Sequence, residues 1–119
     1  MPRVADYKII NDDSFTLESD PNNPPKTITF NIASPHFEDR SILALKLNLV
    51  DADEFRFRVE VNGKQAFERA FSGDGIFTFH EVLSDNLLLP IANSIQFKYK
   101  NGTGSVKISD IVLWYQHAV

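Results

Sequence analysis

The stretch EFRFRVEVNGKQAFERAF, residues 54–71, declares both a strand pair and the face that this pair buries. Phe55, Phe57, Val59 and Val61 alternate with Glu54, Arg56, Arg58 and Glu60, the period-2 pattern of a strand with one dry and one wet side. Asn62-Gly63 supplies the turn. A two-residue loop alone would set odd positions against even ones and leave Phe67 and Phe71 on the charged face. A three-residue loop over Asn62 to Lys64, or a bulge of equivalent effect, pairs odd with odd. It sets Val59 opposite Phe67, Phe55 opposite Phe71 and Arg58 opposite Glu68, each a favourable cross-strand pair.

The same alternation recurs along the chain. Ile28, Phe30 and Ile32 share one side of KTITFNIA, and Leu43, Leu45, Leu47 and Leu49 share one side of the leucine-rich segment. A helical spacing there would place Lys46 in the stripe of Leu43, so the strand reading prevails. Short β-prone pieces at 7–10 and 15–18 flank the turn cluster Asn11 to Ser14. The proline-rich run from Ser19 to Pro25 is a stiff connection that fits a crossing from one sheet to the other. Ser34 to Arg40 reads as a loop, with Phe37 either plugging a sandwich end or exposed. Asp51-Ala52-Asp53 and Ser72 to Gly75 read as turns, the first leading into the organising hairpin.

Further along, IFTFHEVL is a strand in which Phe77 and Phe79 share a parity with Glu81, a conflict that a bulge or a strand end near His80 would resolve. Ser84 to Asn93 reads as a loop with a short strand. Ile95, Phe97 and Tyr99 are odd whereas Val106 and Ile108 are even, which predicts a two-residue hairpin turn at Gly102-Thr103. A second change of parity, to Ile111, Leu113 and Tyr115, predicts a bulge near Ser109-Asp110. Eight or more short strands and no credible long helix predict an all-β, antiparallel β-sandwich, one domain over residues 1–119.

Composition narrows the function classes. With no cysteine there is no disulfide frame, and a formal charge of -4 with interspersed signs argues against a nucleic-acid surface. The N-terminus lacks an apolar run and the most apolar stretch, 42–50, is too short and too interrupted to span a bilayer, so a soluble protein without a signal peptide is expected, cytoplasmic by default. Nucleophilic catalysis has little support: no G-x-S-x-G elbow occurs, and His36, His80 and His117 are the only imidazoles. No enzyme is expected. That expectation would yield if His80 stood within reach of a carboxylate in a cleft.

In the C-terminal half, the order of FRFRVEVNGKQAF, FTFHEVL, LLLPIANSIQFKY and GSVKISDIVLWYQ, over roughly Ile42 to Gln116, resembles the galactose-binding-domain-like jelly rolls found in carbohydrate-binding modules. Asn93 would brace a loop. One departure is Ala92, where that family often has glycine. The resemblance implies a jelly-roll sandwich and a non-catalytic, lectin-like module for carbohydrate. It also implies a calcium site, because Asp110 matches a position where relatives often carry a metal-ligating aspartate; Asp6, Asp12, Asp13 or Glu18 would complete it. The plain alternative is that Asp110 sits at a bulge and accepts local amides.

Candidate ligand-binding residues follow from the wet sides of the strands. Trp114 shares its parity with Val112 and Gln116, opposite Leu113 and Tyr115, which points it outward, whereas the usual burial of tryptophan points it into the core. Arg56, Arg58, Gln96 and Lys98, with Lys46 and Asn48, either line a sugar-binding face or form a solvated surface on which Arg58 and Glu68 merely pair. His80 and Tyr99 carry the same two readings. Asn101-Gly102-Thr103 also fits a glycosylation sequon, which the expected hairpin turn explains without it. The rival to a carbohydrate partner is protein: an assembly role in which sheet edges or a face dock on copies of the chain, as a homo-oligomer, or on a larger complex.

Overall fold

The computed structural model describes the backbone of residues 3–33, 36–84 and 86–118, and the side chains of residues 4–33, 41–84 and 86–117. The alternation read from the sequence becomes five long strands: β1 (Arg3–Glu18), β2 (Lys26–Asn31), β3 (His36–Val61), β4 (Lys64–Val82) and β5 (Ala92–Ala118). All pairings are antiparallel, in the order β1-β5-β3-β4, with β2 also on β5.

These strands are folded, not straight. At about 3.3 Å per residue the 26 residues of β3 would reach roughly 86 Å, yet the molecule's longest dimension is 48 Å. Phe15 lies opposite Ile108, and Phe97 stands eleven positions away along β5, a separation of roughly 36 Å in a straight strand. Their ring centroids are 5.1 Å apart. The sheet is therefore creased across its middle and closed on itself. One wing contains β1 with residues 41–50, 75–82 and 105–118; the other contains β2 with 55–61, 64–71 and 92–101. The result is an antiparallel β-sandwich of eight strand segments among the described residues.

The crease falls where turns were expected, and this corrects three of those expectations. Asp51 to Asp53, Ser72 to Gly75 and Asn101 to Gly104 do not reverse the chain; each carries a strand from one layer to the other. Asp51, Glu54, Gly73, Gly75, Gly102 and Gly104 all have positive φ there. At Gly102 a Cβ would overlap the Glu54 carbonyl oxygen and stand 2.7 Å from Phe55 Cα, so glycine is required by the close approach of β5 to β3 as well as by its φ of 98°. Side chains of β4 brace the same row: the Asp51 amide donates to Asp74 Oδ1 at 2.7 Å and the Glu54 amide to Ser72 Oγ at 2.9 Å.

The organising hairpin has the expected pairs, Val59 opposite Phe67, Phe55 opposite Phe71 and Arg58 opposite Glu68. Its loop is the two-residue one, with Asn62 and Gly63 at φ 53° and 81°, and an extra residue at Ala66 restores the parity. The expected bulge at Asp110 is present, with φ 51°. No bulge occurs near His80, since β3 and β4 stay in register from Leu49–Gly75 to Ile42–Val82. Glu81 keeps its inward parity because Arg69 of the opposite wing reaches it at 2.9 Å. Residues 7–10 and 15–18 belong to one strand, β1, irregular at 11–14. Among the described residues of 83–91 none lies in a strand, and β3 begins at His36 within the expected loop; Phe37's side chain lies outside the described residues.

The core lies between the wings. Phe55, Phe57, Phe97, Leu43, Leu45, Leu47, Ile108, Ile111 and Leu113 are all essentially inaccessible. Phe67, Phe71 and Phe79 close its β4 edge, with ring centroids 5.3 and 5.4 Å apart. Asn93 braces the loop before β5: Oδ1 accepts from the Leu89 amide at 2.7 Å and Asn62 Nδ2 at 2.8 Å, while Nδ2 donates to the Leu89 carbonyl at 3.0 Å. Ala92 is not among the residues of positive φ in that loop, which are Asn86 at 68° and Ile91 at 71°.

Candidate functional site

The two wings present outer faces of opposite chemistry. On the wing that holds Arg56 and Arg58, alternation turns Arg56, Arg58, Glu60, Glu68 and Lys98 outward, where they pair with one another, while Arg69 crosses to Glu81. Arg58 Nε donates to Glu68 Oε1 at 3.0 Å, Arg56 approaches Glu68 at 3.5 Å, and Glu60 takes both Arg58 at 3.7 Å and Lys98 at 3.6 Å. Gln96 Nε2 donates to Thr27 Oγ1 at 3.2 Å. The Arg58 hydrogen bond holds the Glu68 carboxyl below its ordinary range. Arg56, Arg58, Gln96 and Lys98 are thus neighbours, each engaged with its own surface.

The other wing carries an apolar patch on its outer side. In register across all four strands, Tyr7 lies opposite Trp114, Trp114 opposite Ile42, and Ile42 opposite Val82. The next outward row runs Ile9, Val112, Ala44, His80. Seven of these eight side chains are apolar, and several are well exposed: Tyr7 54%, Ile9 51%, Trp114 47% and Val82 68%. The rings of Tyr7 and Trp114 sit 5.2 Å apart at 43°. With strands about 4.8 Å apart and outward rows about 7 Å apart, the patch covers on the order of 300 Å², the lower end of the largest apolar patch on a typical monomer, which is often functional. Lys46, Thr78 and Asn48 continue the face beyond the second row.

The candidate residues therefore divide. Trp114 and His80 share the apolar face, whereas Arg56, Arg58, Gln96 and Lys98 lie on the opposite side of the sandwich. His80 is exposed and hydrogen-bonds no carboxylate among the described residues. Tyr99 is half-buried, its hydroxyl donating to the Gly102 carbonyl at 2.6 Å. Asp110 is exposed at its bulge, and among the described residues no group of three or more His, Asp or Glu is gathered that could hold a metal ion. His117 is half-buried, with Nε2 3.2 Å from Asp6 Oδ2. Tyr7, Ile9, Ile42 and Val82 were not among the sequence candidates, although the shared parity of Tyr7 and Ile9 was visible.

Two clefts line the edge where β1 meets β2. One, of about 230 Å³, lies among Phe15, Pro24, Lys26 and Tyr99; the other, of about 300 Å³, among Lys8, Thr29 and Asn31. Neither brings together the aromatic faces found around Trp114.

No family model matches the chain, and no curated protein matches it in sequence. Solved structures match its fold. The dimeric latent PorU of Porphyromonas gingivalis aligns with a TM-score of 0.60 and 11% identity, over 92% of this chain but only 13% of its own length. The xylan-binding module CBM15 aligns at 0.58 and 11% identity, over 96% of this chain and 97% of that one. CBM29_1, a family 29 carbohydrate binding module from Piromyces equi, aligns at 0.58 and 13% identity, over 96% and 91%. At these identities the likeness is one of fold. No helix among the described residues is long and apolar enough to cross a membrane. The chain has the galactose-binding-like jelly-roll fold of these carbohydrate-binding modules, the fold that its motifs from Ile42 to Gln116 resemble.

Proposed function

We propose that the chain is a non-catalytic binding module, one domain over residues 1–119, that takes carbohydrate on the outer face of the Trp114 wing. The observation that carries this reading is the solvent-exposed Tyr7–Trp114 ring pair, in a patch whose two rows hold no Asp, Glu, Lys or Arg. A pyranose has an apolar C–H side that packs on an aromatic ring, and hydroxyls that need polar groups at the rim. His80, Thr78, Lys46 and Asn48 occupy that rim. The likeness in fold to the xylan-binding module CBM15 and to CBM29_1 supports the ligand class.

A tryptophan offers up to about 250 Å², so with 47% exposed about 120 Å² is open to a ligand; covering half of it at ~25 cal/mol per Å² contributes about 1.5 kcal/mol. Trp114→Ala should therefore weaken binding about tenfold. Titration with xylo- and cello-oligosaccharides, followed by tryptophan fluorescence and calorimetry, tests this. A glycan array without hits and unchanged fluorescence with every sugar would overturn it. The aliphatic share of the same face, above all Val82 and Ile9, favours a second reading in which a protein surface covers it.

A further inference from the structure

Strand edges are where a sheet protein is most exposed to unwanted pairing, and this molecule guards its edges unevenly. β1 is broken at 9–14 and carries Asp6, Lys8, Asp12 and Asp13. β2 is six residues long and follows Pro24-Pro25. The first half of β4 has Lys64, Glu68, Arg69 and an extra residue at Ala66. The second half has none of these devices. From Gly75 to Val82 it runs in unbroken register with β3, without proline, lysine or arginine, and its one carboxylate, Glu81, turns inward to Arg69. Among the described residues no strand pairs with its outer side. Ile76, Phe77 and Val82 are exposed by 62%, 48% and 68%.

We propose that this edge is an interface with a second copy of the chain, joined strand to strand in antiparallel fashion. The argument for a second copy is self-complementarity. A two-fold axis at Phe79 sets Ile76 opposite Val82 of the second copy, and Val82 opposite its Ile76, so the two most exposed aliphatic side chains of the edge cover each other twice. Thr78 meets His80 of the second copy in the same outward row. Each strand's free amides and carbonyls then find partners, the mode by which an extended segment adds to an open sheet. The four-stranded Trp114 wing becomes half of an eight-stranded sheet, with both Tyr7–Trp114 pairs on one side. This inference stands independently of the sugar ligand.

Sedimentation velocity on the full chain, over a concentration series reaching the high micromolar range, is the test. The mass should rise toward twice that of the monomer. Ile76→Lys and Val82→Lys, substitutions at open positions, should each weaken association at least tenfold by placing lysines beside an apolar strand. Circular dichroism confirms that they remain folded. Amides 76–82 should gain exchange protection as the dimer forms, and Trp114→Ala should leave the association unchanged. A wild-type chain monomeric throughout overturns the proposal. So does a dimer that survives both lysine substitutions, or one that Trp114→Ala abolishes. Sugar binding is read separately by fluorescence, so each reading fails on its own evidence.

Discussion

Replacing Gly102 by alanine tests the crease directly, with Gly63→Ala as its control. Both glycines have positive φ, 98° and 81°, so both substitutions incur backbone strain of about 1–2 kcal/mol, reduced by a few tenths through the stiffer unfolded chain. A methyl group at Gly63 meets nothing within 4 Å, whereas one at Gly102 overlaps the Glu54 carbonyl oxygen and lies 2.7 Å from Phe55 Cα. Both neighbours are backbone, so relief requires β5 to move off β3, which adds roughly 2–3 kcal/mol of the kind seen on overpacking. Gly102→Ala should cost about 3–5 kcal/mol and Gly63→Ala about 1–2. For a chain of this size that is roughly 12–20 °C against 4–8 °C in Tm. Urea and thermal unfolding followed by circular dichroism give both values. Equal losses for the two variants would refute the close approach and return 101–104 to an ordinary turn.

Asn93→Ala should destabilise by about 2–4 kcal/mol in urea, because it strands the Leu89 amide and removes one of the two bonds made by Asn62 Nδ2, which keeps only the Leu87 carbonyl; a loss under 1 kcal/mol would contradict the brace. Ile91→Gly should raise stability by about 0.5–1 kcal/mol, since a β-branched residue at φ 71° is held in a γ-turn by the Ala92 amide donating to the Pro90 carbonyl; a destabilised variant would mean that the apolar contacts of this exposed side chain outweigh its strain. Glu68, with its folded-state pKa depressed by Arg58, contributes stability that is present above its unfolded value near 4.5 and is lost as the pH falls through the lower folded value. The gap between wild type and Glu68→Gln in urea midpoint should therefore narrow as the pH drops below about 4.5; parallel curves would remove the role assigned to the Arg58 bond.

The alternation of apolar and polar residues was enough to place the core, because period-2 patterning fixes which side of a strand is dry without reference to any partner. Val59 opposite Phe67 followed from parity alone. The crease did not. Asp-Ala-Asp, Ser-Gly-Asp-Gly and Asn-Gly-Thr-Gly serve equally to reverse a chain or to bend it between layers, and what decides is the packing of Gly102 on Glu54, residues 48 positions apart. Phe77, Phe79 and Glu81 were puzzling for the same reason: the cation that allows Glu81 to face inward sits on the opposite wing. Trp114's outward side was legible from its parity. Its partners were not, since Tyr7 and Val82 reach it only through pairings with β5 and β3 that join opposite ends of the sequence. The wet residues of β3 all looked alike, and nothing local separated Lys46 and Asn48 from Arg56 and Arg58, which the crease sends to opposite sides.

Arg3 pairs with Ala118 and Glu18 with Ser105, so the opening strand completes its hydrogen bonding only with the closing one. During synthesis β1 must therefore wait in the open until β5 has left the ribosome, its Ile10 and Leu17 without a core to enter. Assembly governed by such distant pairings is slow, on the order of milliseconds to seconds, and the waiting segment is where a chaperone would find its grip.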